Sequence, residues 1–407
     1  MTSASERRVP APSDAVVAVT LALLLGLQPV TTDLYLPGLP ALSAEFGGAI
    51  GAAQLTLSSL ILAFGFGQLL LGPVSDRFGR RPVLLSGLGL YVVGTVCSAH
   101  ATGMDALIFG RVLQGVGLAA SVVCGRAMVR DLYDPLRGTV VMSRGQSGLG
   151  LFALASPLLG GVLAGTLGWR WALATTGIVA AVALALVALR LPETLRQRNS
   201  LALQPAGMAR TWAGMLRHPT FLAWSLLLMF SYGGLYTFLA SSSFVYIEVL
   251  GTSKPVYGLF LASASVAYLA GTIVCRRWIA RHGISRTVQR AAACSLAGGL
   301  GMAALSWGGV ISPWAICIPQ MVFNFGHGMH QPCGQAGVVG PFAQAAGAAS
   351  ALSGFMSAAA AFLIGQWLGR AIDGTVFPLT QTLAVFSVLT AAVAWTLVRR
   401  HGERPSR

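Results

Sequence analysis

Charged side chains are scarce in this 407-residue sequence, where they make up only 10% of the residues while hydrophobic residues make up 55%. Soluble globular domains average about 25% charged residues, so a water-soluble surface could not be covered here. The mean hydropathy is correspondingly high, at +0.71. These values exclude an ordinary cytosolic enzyme, a disordered chain and a secreted disulfide scaffold, and they indicate a polytopic membrane protein.

Metal-ligand and disulfide spacings are also missing. The six cysteines are scattered, and the sequence has no CxxC pair and no Cys/His ligand spacing. We interpret the cysteines as small buried hydrophobic residues, and we predict no disulfide, no metal and no cofactor. A membrane enzyme should carry a nucleophile–base or metal constellation inside its spans, and the sequence shows nothing of that kind beyond the pair His327 and His330.

Twelve hydrophobic runs have about the length that crosses a bilayer as a helix. They are Ala15–Leu36, Ala53–Val74, Val83–His100, Met104–Met128, Thr139–Leu163, Trp171–Leu189, Phe221–Phe244, Val256–Cys275, Thr287–Trp307, Pro313–Gly334, Gly347–Leu368 and Val376–Val398. We predict an N-terminal segment (1–14), a six-helix half (15–190), a central loop (191–219), a second six-helix half (220–399) and a tail (400–407). Two halves of this kind are typical of secondary transporters.

Basic residues outnumber acidic ones by 27 to 12, an excess that in a soluble protein suggests nucleic-acid binding. Twenty-two of the 27, however, lie on the side of the predicted spans shared by both termini, and three (Arg170, Lys254 and Arg370) lie on the other side. Basic residues accumulate in cytoplasmic loops. We therefore predict that both termini are cytoplasmic and that the partner is the lipid bilayer, with no nucleic acid.

Charges inside a span are costly and so are candidate functional residues. Asp33 lies in the outer half of span one, and Arg111 lies about 10 Å below the outer face in span four, so both are at similar depth. A carboxylate balanced between burial and a nearby cation suits a proton-coupled carrier. A static buried pair, or an Asp33 that caps the outer end of span one, are the alternatives.

Polar residues of span ten and scattered aromatic residues are further candidates. Span ten carries Asn324, His327, His330 and Gln331, and the two histidines share one helix face at i, i+3. These residues are either plain interior polar groups or contacts for the substrate or a proton. Six aromatic residues could line an apolar drug pocket, although lipid or packing contacts also explain each of them singly: Phe64, Tyr91, Phe230, Tyr232, Tyr236 and Phe238.

Three motifs resemble the signatures of the major facilitator superfamily. Gly72-Pro-Val-Ser-Asp76-Arg77-Phe-Gly79-Arg80-Arg81-Pro82 resembles the signature of the loop between spans two and three. Arg111-Val-Leu-Gln114-Gly115 resembles the span-four motif. Ser156-Pro157-Leu-Leu-Gly160-Gly161 resembles the span-five antiporter motif, with Ser156 in place of the usual glycine.

Three further segments resemble the Bcr/CflA drug-resistance branch of that superfamily, which includes bicyclomycin and chloramphenicol/florfenicol exporters. These segments are 33–40, 128–133 and 243–248. The resemblance implies an all-α major facilitator fold with 12 transmembrane helices, working as a monomer in the bacterial inner membrane. It implies export of small antibiotics, chloramphenicol- or bicyclomycin-like, in exchange for protons by alternating access. A carrier of the same fold that exports or imports a metabolite is the alternative, and neither is an enzyme.

The resemblance also implies roles for individual residues. The residues implied for proton coupling and substrate binding are Asp33, Tyr35, Arg111 and Gln114. A cytoplasmic latch that stabilises the outward-facing state is implied at Gly72, Asp76, Arg77, Gly79, Arg80 and Arg81, although the arginines there could serve only to orient the chain. A hinge in span five is implied at Pro157, Gly160 and Gly161, since Pro157 frees a backbone carbonyl and bends its helix.

Overall fold

The structure, a computed structural model, describes residues 13–48, 50–195, 197–200 and 202–402, and in those residues it contains helices and no strand. The first part of the chain forms seven helices. They are α1 (Asp14–Asp33), α2 (Leu39–Glu45), α3 (Ile50–Phe78), α4 (Arg80–Ala99), α5 (Met104–Leu132), α6 (Pro135–Thr166) and α7 (Trp169–Arg190).

The second part forms seven more helices. They are α8 (Pro205–Leu216), α9 (Pro219–Ser243), α10 (Lys254–Trp307), α11 (Pro313–Val339), α12 (Ala346–Ala371), α13 (Phe377–Val393) and α14 (Arg399–His401). Short π-helical segments, Phe244–Val249 and Ala394–Val398, extend α9 and α13.

Every predicted span falls on a helix. Ten helical segments of the described chain are long and apolar enough to cross a membrane. Predicted spans eight and nine both lie in α10, which is interrupted by a non-helical residue, Gly283, with a φ of 77°. Predicted span ten coincides with the 27-residue helix α11, which carries several polar side chains. The prediction of an all-α polytopic membrane protein is therefore confirmed.

Span one is longer than predicted and is broken in its interior. Helix α1 ends at Asp33, a 3₁₀ turn follows at Leu36–Gly38, and α2 continues the span to Glu45. Proline supplies no N–H for helical hydrogen bonding, and Pro37 lies in this break while Pro40 lies in the first turn of α2. The predicted end at Leu36 is therefore too early, and Asp33 lies at an internal break and does not cap the outer end.

The predicted central loop contains the helix α8. Its Met208, Trp212 and Met215 recur at helical spacing on one face and are the residues of α8 that are buried or half-buried, whereas its other side chains are exposed. Such an amphipathic pattern fits a helix that lies on a surface. Met215 packs in the same hydrophobic cluster as Phe221 and Trp224 of α9.

The spans of the first and second parts touch backbone to backbone on the side away from the termini, which we call the opposite face; the other side is the terminal face. A Cβ atom added to Gly258 of α10 would lie 2.5 Å from the carbonyl oxygen of Pro157 in α6. One added to Gly369 of α12 would lie 2.8 Å from Cα of Gly51 in α3. Small residues allow helices in membranes to approach this closely, so the opposite face is closed.

The substitution Gly258→Val tests this close approach. The added side chain would meet the Pro157 carbonyl, so we expect the free energy of unfolding to fall by about 1–3 kcal/mol, measured as a lower Tm in detergent. Gly301→Val, on the same helix, is the control, because a Cβ there meets no atom within 4 Å. An unchanged Tm for Gly258→Val would contradict the contact.

Candidate functional site

The Arg111 side chain joins three helices at the centre of the first six spans. It is 0% exposed. Its Nε donates a hydrogen bond to the carbonyl oxygen of Thr56 (3.4 Å), its Nη1 to Oε1 of Gln114 (2.9 Å), and its Nη2 to the carbonyl oxygen of Thr31 (3.3 Å). The guanidinium carbon lies 4.4 Å from the centroid of the Tyr35 ring, a cation–π contact. Each guanidinium nitrogen thus has a partner.

Gln114 extends these contacts to two more helices. Its Nε2 donates to Oγ1 of Thr95 in α4 (2.7 Å) and to Oγ1 of Thr176 in α7 (3.4 Å). Two hydroxyl pairs complete the group, which we call the Arg111 network: Thr31 with Tyr91 at 2.6 Å, and Tyr35 with Thr56 at 2.8 Å. One buried polar network therefore contains residues that were predicted from two separate motifs. Tyr35 comes from one motif, and Arg111 and Gln114 come from the other.

The end of α1 explains how a buried cation is stabilised here. Thr31 belongs to the last turn of α1, where backbone carbonyls lack partners within the helix and form the negative end of the helix dipole. Among the described residues, Arg111 forms no ion pair. Arg111 donates to the Thr31 carbonyl, two residues before Asp33, but it forms no ion pair with Asp33 itself. The alternative of a static buried ion pair therefore does not apply in this conformation.

Asp33 is half-buried, and it faces the second six spans. Its Oδ1 accepts a hydrogen bond from Oγ1 of Thr32 (2.7 Å). The 3₁₀ turn that follows it, Leu36–Gly38, contacts α9 and α10. Asp33 is thus placed between the Arg111 network and the helices of the second part.

The antiporter segment of α6 contacts both the break in span one and the start of α10. A Cβ atom added to Gly160 would lie 2.8 Å from Cα of Leu34, the residue after Asp33. One added to Gly161 would lie 2.7 Å from the carbonyl oxygen of Lys254. Pro157 lies inside α6 and presents its carbonyl to Gly258. The three predicted hinge residues therefore connect the Asp33 break to the contact between the two sets of spans.

The predicted latch residues gather around Arg80 at the terminal face. Arg80 is only 4% exposed, and its guanidinium forms ion pairs with Asp76 (2.5 Å) and Asp131 (3.1 Å) and donates to Oγ of Ser75 (2.6 Å). Arg77 is exposed and stands over the Phe78 ring. Asp76 therefore faces an arginine of its own motif.

Glu193 lies at the N-terminus of α4, and sequence reasoning missed it. Its carboxylate accepts hydrogen bonds from the backbone N–H of Arg80 (2.9 Å) and of Arg81 (3.2 Å). A carboxylate there satisfies free N–H groups and the positive end of the helix dipole. The available signal was a lone acid in the arginine-rich stretch after span six, on the same predicted side as the latch.

Gly79 makes room for this carboxylate. Its φ is 112° and its ψ is 150°, in a region that is almost exclusive to glycine, and an added Cβ would lie 2.5 Å from Oε2 of Glu193. At Gly72, the first latch glycine, an added Cβ would make only an ordinary van der Waals contact, 3.9 Å from Cγ1 of Val123. The requirement for glycine is therefore strict at Gly79 and not at Gly72.

Gly79→Ala should accordingly destabilise the protein. We expect a loss of about 1–3 kcal/mol from the backbone conformation alone, measured by thermal unfolding in detergent. Gly89→Ala, in the interior of the same helix with no atom within 4 Å of its Cβ position, should instead be stabilising by about 0.5–1 kcal/mol. Equal effects of the two changes would refute this account of Gly79.

His327 and His330 share one serine. The hydroxyl of Ser231 in α9 lies 2.8 Å from Nδ1 of His327 and 3.0 Å from Nδ1 of His330, and both rings are buried. A hydroxyl has a single proton to donate, so at least one of the two bonds requires a histidine N–H as the donor. The described residues contain no cluster of three or more His, Cys, Asp or Glu side chains that could hold a metal ion.

The remaining second-half candidates differ in position. Asn324 is buried between helices, where its amide accepts from Nε2 of Gln320 (2.9 Å) and donates to the carbonyl oxygen of Ala264 (3.2 Å). Tyr236 is fully buried, and its hydroxyl has no hydrogen-bond partner among the described residues. Tyr232, in contrast, is half-buried and reaches a cavity between the two sets of spans.

This central cavity encloses about 670 Å³ of empty space, its open mouth included. Both sets of spans contribute to its wall, and most of the lining residues lie in the halves of their helices nearer the terminal face. The lining residues are Gln28, Ile61, Phe64, Gln68, Val122, Arg126, Leu228, Tyr232, Gln331, Gln335, Ser350, Gly354, Ser357 and Ala358. Amide and hydroxyl groups set among apolar side chains are typical of a small-molecule site.

Sequence reasoning placed most of this wall outside the candidate site. Of the residues weighed for function, Phe64, Tyr232 and Gln331 line the cavity; Asp33, Arg111, the two histidines, Asn324 and Tyr236 do not. The available signal for the rest was the set of glutamines in or beside apolar runs, together with Arg126, which the sequence placed near the end of span four. Arg126 lies within α5, and its side chain is exposed at the cavity.

Arg111→Lys tests the Arg111 network. Lysine keeps the charge but loses the planar fork that reaches three carbonyl oxygens at once, so we expect a loss of stability of about 1.5–3 kcal/mol. The measurement is the Tm in detergent, and Arg144→Lys, at an exposed position of α6, is the control. If both variants unfold at the wild-type temperature, Arg111 does not organise these helices.

Comparison with protein families gives one match over most of the chain. A family model described as Major Facilitator Superfamily matches residues 21–366, which confirms the resemblance found in the motifs. The chain is 28% identical to multidrug resistance protein D of Escherichia coli, over 82% of this chain and 83% of the relative.

Two further relatives carry drug names. The chain is 26% identical to a bicyclomycin resistance protein homolog of Haemophilus influenzae, over 96% of this chain and 98% of the relative. It is 30% identical to a chloramphenicol resistance protein of Pseudomonas aeruginosa, over 72% of this chain and 67% of the relative.

Solved structures share the fold. The xylose transporter XylE of E. coli, in a partially occluded inward-open conformation, superposes with a TM-score of 0.75 at 14% identity and covers 96% of this chain and 100% of its own. A D-xylose–proton symporter superposes with a TM-score of 0.72 at 16% identity, covering 93% of this chain and 97% of its own. At these identities the likeness concerns the fold alone, and it confirms the predicted fold class.

Proposed function

The chain belongs to the major facilitator superfamily, and we propose that it exports small drugs in exchange for protons. Its family and its relatives are transporters, so the chain is a multi-pass membrane transporter and not an enzyme. The relatives named for multidrug, bicyclomycin and chloramphenicol resistance support drugs as the substrate class. We place the protein, as a monomer, in the bacterial inner membrane.

The observation that carries the proposal is a cavity lined by both sets of spans, with the chain closed on one side of it. The central cavity lies toward the terminal face, while Gly258 and Gly369 close the opposite face. The excess of arginine on the side of the termini supports a cytoplasmic terminal face. With that orientation, the cavity is open to the cytoplasm in this conformation. It opens to the outside when two halves of the chain rock about it: residues 15–190 and 220–399, which are joined by residues 191–219.

Asp33 is the proposed proton carrier. Among the described residues, Thr32 is its only hydrogen-bond donor, and its position at the end of α1 sets it beside the negative end of the helix dipole. Both features favour the binding of a proton. The turn that follows Asp33 contacts α9, and α9 carries Tyr232 at the cavity, so we assign to α9 the coupling between substrate in the cavity and the proton on Asp33.

The antiporter segment connects this proton site with the movement of the halves. Gly160 packs against the break after Asp33, and Gly161 packs against the start of α10 in the other half. A change of charge at Asp33 alters the packing of the break, and α6 passes that change to the α10 contact. Pro157 permits the bend in α6 that such a change requires.

The latch has a proposed role in the opposite state. In this conformation the ion pairs of Arg80 lie within the first six spans, with Asp76 and Asp131. The exposed Arg77 and the half-exposed Asp76 remain accessible at the terminal face. We assign them contacts with the second half when that face closes, so that the cluster stabilises the outward-facing state.

Asp33→Asn is the central test. The amide cannot take up and release a proton, so we expect proton-coupled uptake of chloramphenicol into everted vesicles to fall at least about tenfold. Uptake is measured under an imposed pH gradient, with and without an uncoupler. Binding of the drug to the purified variant should persist, because Asp33 does not line the cavity.

Asp105→Asn is the matched control, since Asp105 is an exposed acid in the first turn of α5. It should leave uptake at the wild-type rate. Uncoupler-sensitive uptake at the wild-type rate in Asp33→Asn would refute the assignment of Asp33. Absence of drug uptake by the wild-type protein would refute drug export itself.

A further inference from the structure

The central cavity contains one charged side chain, that of Arg126. Of the fourteen residues that line it, the others are four glutamines, two serines, one tyrosine and apolar residues, and no carboxylate is among them. Asp33 lies outside this wall. The cavity therefore carries a positive charge of its own.

The guanidinium of Arg126 also has no carboxylate partner among the described residues. Among the described residues it takes part in no ion pair, and its side chain is exposed even though α5 runs through the interior of the bundle. Arg111, fifteen positions earlier on the same helix, shows the contrast: it is fully buried, and its donors are all directed at protein oxygens. The free guanidinium at Arg126 is thus available to a ligand.

The residues around Arg126 fit an organic acid. A guanidinium donates two parallel hydrogen bonds to a carboxylate or phosphate, and the glutamine amides can donate to the remaining oxygens. The two serine hydroxyls of the wall donate to Gln335 and to the Ser353 carbonyl oxygen. Gln331 and Gln335 lie one turn apart on α11, and Ser350, Gly354 and Ser357 follow one face of α12. Isoleucine, phenylalanine and leucine side chains offer contacts for an apolar body.

From this arrangement we propose that Arg126 is an anion-recognition residue of the central cavity, and that the cavity binds organic anions in preference to organic cations. The proposal rests on the proposed function, since it names the charge class of the exported solutes. An organic cation would have to enter beside an unpaired guanidinium with no carboxylate in the wall to offset the repulsion, which is how a site discriminates against a charge class. A neutral drug neither gains a charge-assisted hydrogen bond from Arg126 nor is repelled by its charge.

A matched pair of probes tests this preference. Chloramphenicol and its hemisuccinate ester share one scaffold and differ by a carboxylate, and ethidium serves as the cation. Equilibrium binding to the purified protein in neutral detergent should show the hemisuccinate bound about tenfold or more tightly than chloramphenicol, because a charge-assisted hydrogen bond is added. Ethidium should bind the most weakly of the three.

The variants identify the residue responsible. Arg126→Gln, which matches the glutamines of the wall, should lower hemisuccinate affinity by about tenfold or more and leave chloramphenicol affinity within about twofold of the wild type. Arg126→Lys should retain part of the preference, and Arg126→Glu should reverse it toward ethidium. Arg130→Gln, an exposed position four residues later on α5, is the control and should change nothing.

Two results would overturn the inference: hemisuccinate bound no more tightly than chloramphenicol by the wild-type protein, or equal loss of both probes in Arg126→Gln with an unchanged Tm. Vesicle transport separates this from the proposed function. If the Arg126-dependent anion preference is found but neither probe is exported, drug export fails while the anion site stands. If chloramphenicol is exported without any anion preference, drug export stands while the anion site fails.

Discussion

The buried charge of Arg111 is the constraint around which the first six spans are arranged. A guanidinium without an ion pair can be buried only if protein oxygens replace its water, and here three helices supply them at the end of α1 and along α3 and α5. The break after Asp33 is part of this arrangement, because it leaves the last carbonyls of α1 free to accept. Arg111 therefore uses a carbonyl that the end of α1 leaves free.

The same break connects the interior of one half with the surface of the other. Leu34, at the break, contacts Gly160 of α6, and the neighbouring Gly161 contacts the first residues of α10. Backbone contacts of this kind have little tolerance for intermediate arrangements, because packed interfaces switch between discrete states more readily than they deform. In the proposed mechanism, a proton at Asp33 biases which side of the central cavity is open.

The two arginines Arg111 and Arg126 of α5 show that one residue type can have different roles within one helix. Arg111 is saturated by protein acceptors and organises structure, whereas Arg126 is exposed to the cavity and free of ion pairs. Their difference does not lie in local sequence, since both stand among small and apolar neighbours. It arises from which helices surround each position.

Local patterns determine the number of spans, their order and the motif residues, because the length of an apolar run and the type of a residue are properties of the chain itself. Hydropathy accordingly predicts all twelve spans, including α11 with its polar side chains. The partners of those residues depend on packing between distant segments. The carboxylate of Glu193 reaches Gly79 and α4 from more than a hundred residues away, and the cavity wall combines six helices. Contacts between such distant residues have no signature in the local sequence, and only the tertiary structure decides them.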